Sequence, residues 1–348
     1  MSMLSRALVA LSLLVSLAAG PGHASEEGHG GFLARPDGHA PIGVMGDHMH
    51  AAGEVMFSYR YERMRMDDNQ DGTSRRTDAD VLQDFIATPT DMDMEMHMFG
   101  VMYAPTDWLT LGAMLPYVRL QMDHVNRMGR SFVTHSDGPG DFKFTTLWKL
   151  FETEQHHLHL NLGMSFPTGG IRHSDQTPSP MGGFANTTLP FPMQIGSGTY
   201  DTIPGLTYVG NSSRLSWGAQ ALGTIRADKN EAGWAQGNRA DVSSWIAFPW
   251  SDWVSTSARI SYHYWGNYRG DENRFPPTTV IPTADPNRRA GHRIDLHPGV
   301  NFYVPLGPLR KHRFSIEAGI PVYQWLDGPQ LRTQWQIMAG WQFTFDWH

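Results

Sequence analysis

From residue 53 to the end, apolar and polar side chains alternate with a period of two, segment after segment, and nothing else in this chain constrains its fold as much. In the last segment Ile337, Ala339, Trp341, Phe343, Phe345 and Trp347 share one parity, while Gln336, Met338, Gly340, Gln342, Thr344 and Asp346 share the other. Leu158, Leu160, Leu162, Met164 and Phe166 repeat the pattern against His157, His159, Asn161 and Ser165. So do Val254, Thr256, Ala258, Ile260, Tyr262 and Tyr264 against Ser255, Ser257, Arg259, Ser261 and His263. Successive side chains leave a strand on opposite faces, so this is the strand period. After the N-terminus no stretch approaches the ~20 apolar residues of a membrane helix. With 36 Gly and 23 Pro besides, an all-β fold is expected.

The connections decide between a soluble sandwich and a membrane barrel. The pattern places about twelve strands (range about 10–14) near 53–66, 93–105, 107–122, 139–151, 156–167, 199–210, 214–226, 238–250, 252–265, 291–304, 312–325 and 332–347. Alternate links are short, at 105–107, 152–155, 211–214, 250–252 and 306–311. Those between them are mostly long and polar, notably 67–92, 168–198 and 266–290. Short turns at one end and long loops at the other are the layout of a transmembrane antiparallel β-barrel of a Gram-negative-type outer membrane. Trp108, Trp148, Trp250, Trp253 and Trp325 fall near strand ends, where an aromatic girdle belongs.

Three regions are expected. Arg6, the apolar run 7–19 and the small residues before Ala24 read as an export signal over 1–24. Residues 25–52 form a His-rich segment, periplasmic or a plug, and 53–348 form the barrel. Zero cysteines exclude thiolate metal sites and Cys nucleophiles. A net charge of −7 gives no reason to expect nucleic acid; the expected partners are outer-membrane lipid and a small solute.

If the apolar face meets lipid, parity sends Lys143, Lys149, His157, His159, Arg226, Arg239, Asp241, Arg259, Arg293, Asp295, His297, Arg313 and Glu317 into the lumen. There they either pair across strands and fix the register or line a polar solute path. Methionine is abundant, at 19 residues, and densest in the run from Met92 to Met98. The neighbours Phe99, Val101 and Tyr103 share the parity of Asp93, Glu95 and His97. That parity turns Met92, Met94, Met96 and Met98 inward, with Met64 and Met66 of the first strand. Arg63 and Arg65 then share the outer face with Asp93 and Glu95, above the lipid.

Thioethers together with His48, Met49, His50 and His97 make a ligand set that suits copper, so copper is the candidate cofactor. Met122, Asp123 and His124 are further candidates. Met is equally a flexible filler of irregular interior space. No HExxH, P-loop or complete nucleophile elbow is present, and an enzyme is not expected.

The stretches Ala40–His50 (APIGVMGDHMH), Ser58–Tyr61 (SYRY), Met102–Leu111 (MYAPTDWLTL) and Gly196–Asp201 (GSGTYD) resemble transporters of the "MetA-pathway of phenol degradation" family. A more distant resemblance is to long-chain fatty-acid transporter barrels. The resemblance implies an outer-membrane barrel passing small, often aromatic, molecules, and a copper-related setting. It implies no catalytic or binding residues. Two functions stand open: a channel or transporter for a small aromatic, hydrophobic or copper-linked solute, and a non-conducting Met/His-rich metal-binding protein.

Overall fold

The computed structural model describes residues 30–179 and 182–347; the export signal expected over 1–24 lies outside the described residues. Among the described residues seventeen strands follow in order. They are β1 (Glu54–Gly72), β2 (Ser74–Arg76), β3 (Ala87–Thr106), β4 (Leu109–Asn126), β5 (Ser131–Pro139) and β6 (Phe142–Glu152). Next come β7 (His156–Phe166), β8 (Ser174–Pro178), β9 (Phe184–Thr188), β10 (Asp201–Asn211), β11 (Ser216–Arg226) and β12 (Trp234–Ala235). The last are β13 (Arg239–Pro249), β14 (Val254–Trp265), β15 (Arg269–Gly270), β16 (Gly291–Tyr303) and β17 (His312–Asp346).

Eleven of them, β1-β3-β4-β6-β7-β10-β11-β13-β14-β16-β17, close into a ring through a β17–β1 pairing. Every pairing is antiparallel, and such a ring closes only on an even number of staves. The long β17 resolves this. Its first arm pairs with β16 as far as Leu326, it doubles back around Gly328, and its second arm pairs with β1 down to Asp346. The barrel therefore has twelve staves, and both ends of the ring, Glu54 and Asp346, meet at the short-turn end.

The observed staves match the expected ones closely within the lipid, and the differences lie in the connections beyond it. Residues 67–92, expected as a loop, continue β1 to Gly72, form β2 and the capped helix α1 (Asp78–Asp84), and enter β3 at Ala87. Likewise 123–138 is a β4–β5 hairpin, and β4 pairs with β5 above and β6 below. Beyond the lipid a ladder needs no apolar face, so Asp67, Asp68 and Asn69 stay in strand without showing the alternation.

Parity settles the two faces. Phe57, Phe99, Phe144, Leu162, Leu206, Ile246, Ile260, Leu296, Ile316 and Ile337 are exposed on the outside. Their neighbours Asn161, Thr207, Gln220, Ser257, Ser261, Asn301 and Gln336 are buried inside. An apolar exterior around a polar interior is the inverse of a soluble barrel and is stable only in lipid. Ten steps from Val254 to Tyr264 at about 3.3 Å each, tilted about 40°, give a band of about 25 Å, the hydrocarbon height such barrels match. Trp108, Trp250 and Trp253 stand exposed beside the short turns, and Trp325 at the opposite rim. The protein is an integral outer-membrane barrel.

Candidate functional site: a plugged, layered lumen

Residues 32–52 run inside the barrel, and their irregular backbone is satisfied by inward side chains from staves around the ring. Arg313 donates to the carbonyls of Leu33 (3.0 Å), Arg35 (2.9 Å) and Pro36 (2.9 Å). Ser255 and Ser216 donate to Pro36 (3.0 Å) and Asp37 (2.7 Å). Gln220 holds the Met45 carbonyl at 2.8 Å, and His159 and Asn161 both hold that of Gly46 at 2.9 Å. The Gly43 N–H donates to Glu317 at 2.9 Å, and the His50 N–H to Thr110 at 3.1 Å. Beyond the short helix Gly30–Leu33 this segment has no regular secondary structure, and such backbone can lie at membrane depth only if it is paired in this way. Apolar packing of Ala40 and Val44 against Val209 and Trp245 adds to the seat.

Within the plug three imidazoles converge. The His39 and His48 rings lie 3.8 Å apart between centroids, and His48 and His50 4.7 Å. Asp47 accepts the Ala40 N–H at 2.9 Å. Burial, with Arg313 and His48 nearby, pushes His39 well below its ordinary pKa, and burial lowers His50. Burial works against the Asp47 charge, but His48 holds its carboxyl below the usual range. Burial therefore favours the neutral form of the His39 and His50 rings beside the Asp47 carboxylate. Nδ1 of His48 stands 3.0 Å from Oδ1 of Asp47, whereas Nε2 of His48 and Nε2 of His50 have no hydrogen-bond partner, an arrangement that costs about 1–3 kcal/mol per buried group.

Above the plug lies a charged layer. Arg259 and Glu317 form a bidentate pair at 2.8 and 3.0 Å, with side chains 4% and 1% exposed. Arg293 pairs with Asp295 at 2.8 Å, and His263 with Asp241 at 2.5 Å. Arg239 pairs with Asp241 at 2.8 Å, yet its side chain is 47% exposed although it faces inward. Open space therefore exists inside the barrel at that level. Lys143, on the parity of buried Ser165, also faces in. Ser261, His263 and Asp241 repeat the connectivity of a hydrolytic triad, but Ser261 is 1% exposed and shares its hydroxyl with His297. It offers no open face to a substrate carbonyl.

The outer mouth is apolar on one side. Met92, Val118, Leu120 and Met122 pack with Leu189 and Met193 of the 167–200 connection, and Met66, Met94, Met96, Ile195 and Leu331 lie against them. Ser136 fixes that connection by donating to the Met193 carbonyl at 2.7 Å.

The sequence-proposed metal ligands fall into separate places. Met64, Met66, Met92, Met94 and Met96 share the inner face of β1 and β3, and Met98 is buried lower on the same face. His97 is on the outside, its ring bonded to the Tyr59 hydroxyl at 2.8 Å, because odd parity turns it to lipid. His48, Met49 and His50 belong to the plug. His50 meets β4 at Thr110, whereas Met92 meets it at Met122, twelve steps or about 40 Å along the strand. One thioether–imidazole site joining these residues is not formed.

Of the residues expected inward from parity, Arg259, Arg293, Asp295, His297 and Glu317 are buried, and His159 reaches the Gly46 carbonyl of the plug. Outside, Arg63 and Arg65 pair with Asp93 at 3.1 and 2.5 Å. Sequence reasoning missed Leu147, an apolar inward residue under Gly46, and Leu189 and Met193, whose role depends on a loop folding inward.

Fold and lumen together define an outer-membrane β-barrel with a plugged, polar lumen. Among solved structures, the COG4313 outer membrane channel from Pseudomonas putida F1 has a TM-score of 0.60 and 11% identity, over 86% of this chain and 98% of that one. A Pseudomonas aeruginosa FadL homologue scores 0.39 at 11% identity, over 85% and 90%. The P. putida toluene transporter TodX scores 0.42 at 10% identity, over 86% and 91%. No family profile and no curated protein sequence matches the chain.

Proposed function

We propose that this barrel is a passive outer-membrane channel for a small apolar or aromatic solute, held closed toward the periplasm by its N-terminal plug. The observation that carries the reading is the methionine and leucine wall at the outer mouth, an adaptable apolar surface in a lumen lined mainly by polar groups. Thioethers fit irregular apolar ligands because they are flexible and polarisable. The open space at Arg239 continues the route inward, and the plug lies across it. The copper-linked reading has less support, since the methionines pack with Val118 and Leu120 rather than with imidazoles.

The test is saturable binding of a small aromatic probe, naphthalene, to the purified protein in detergent. Met94→Asp with Met96→Asp should remove that binding, because a charge desolvated against the probe is costly. Equal binding by the two proteins would sink the proposal.

A further inference from the structure

We infer that the plug carries a binding site for one divalent transition-metal ion, formed by His39, Asp47 and His48, with His50 beside them. Ligand atoms of His39, Asp47 and His48 lie within 4.8 Å of one another. Two ligands of one tetrahedral ion stand about 3.3 Å apart when metal–ligand bonds are about 2.0–2.1 Å, so shifts of about 1 Å or less close the cluster.

Three independent observations point to an ion. First, Nδ1 of His48 and Oδ1 of Asp47 stand 3.0 Å apart, close to the spacing of two ligands that share a cation. Second, Nε2 of His48 and Nε2 of His50 are unpartnered in residues only 7% and 2% exposed. Third, the far nitrogens are already held. Gln342 lies 3.1 Å from Nδ1 of His39, and Glu54 3.3 Å from Nδ1 of His50. Metal-bound imidazoles are oriented in this way, by an acceptor on the other nitrogen.

The ligand class follows from the donors. Imidazole and carboxylate without sulfur suit Zn(II) and other borderline divalent ions, not Cu(I). His263, Asp295 and His297 also cluster within 4.8 Å, but Arg293 already occupies Asp295 at 2.8 Å and Arg259 lies in the same layer, so cations compete there. In the plug the ion would join residue 39 to residues 47 and 48, closing the loop that Gly43 and Gly46 seat against the wall.

The test is titration of Zn(II) into the metal-stripped full-length protein in detergent against a chromophoric chelator, with zinc-edge absorption spectroscopy of the bound ion. One equivalent, a nitrogen/oxygen shell with imidazole scattering, and a loss of affinity above ~100-fold in His39→Ala with His48→Ala are expected. His263→Gln with His297→Gln should bind as the parent does. Gln342→Ala, which leaves every ligand in place, should weaken binding about tenfold. Heat-modified electrophoretic mobility identifies folded barrel in each variant. Absence of stoichiometric zinc, a sulfur-containing shell, or unchanged affinity in folded His39/His48 variants would overturn the proposal. None of these readouts depends on solute passage.

Discussion

At the scale of single residues, the plug is seated by positions where a side chain would not fit. A Cβ on Gly43 would lie 2.2 Å from Nη2 of Arg259 and 2.5 Å from Oε2 of Glu317. Gly46 has a φ of +61°, a left-handed conformation that a residue with a Cβ adopts only at a cost. Gly43→Ala is therefore expected to lift the plug off the ion pair and raise single-channel conductance in planar bilayers, with barrel folding unchanged. The pair itself is buried, so Glu317→Gln leaves Arg259 without its partner charge. Loss of about 3–5 kcal/mol of stability is expected, read by urea unfolding in lipid vesicles. Neither Gly43 nor Gly46 was legible as a seat in the sequence, because what each meets lies more than a hundred residues away along the chain.

At the scale of elements, staves were legible wherever lipid imposed a face. β7, β14 and β16 lie within two residues of their expected limits because each alternates through its whole length. β1, β3 and β4 were read too short, since their upper parts leave the membrane and water removes the demand for an apolar face. Residues 168–198 read as a polar loop, yet Leu189 and Met193 are buried against the methionines. Leu189→Asp with Met193→Asp is expected to detach this cap and speed proteolysis within 167–200 while the barrel stays folded. Unchanged digestion would show that Ser136 and the rest of the connection hold the cap without its apolar residues.

At the scale of the whole molecule, the inverted faces predict an asymmetry along every stave. Ile260→Arg, mid-band on the lipid side, is expected to cost about 2–4 kcal/mol in vesicle unfolding. Ser243→Arg, on the inward face beside the open space at Asp241, is expected to cost less than 1 kcal/mol, a surface-like value. Equal penalties would contradict the assignment of faces. By itself the sequence determined the class of fold, an approximate number of staves, which side chains face lipid and which face the lumen, since a period of two has only two phases and lipid selects one of them. Only the tertiary structure decided that the methionines and the plug histidines lie at opposite levels of the lumen, and that His39 joins Asp47 and His48. Closing a ring fixes heights and neighbours through strand stagger, which no local pattern records.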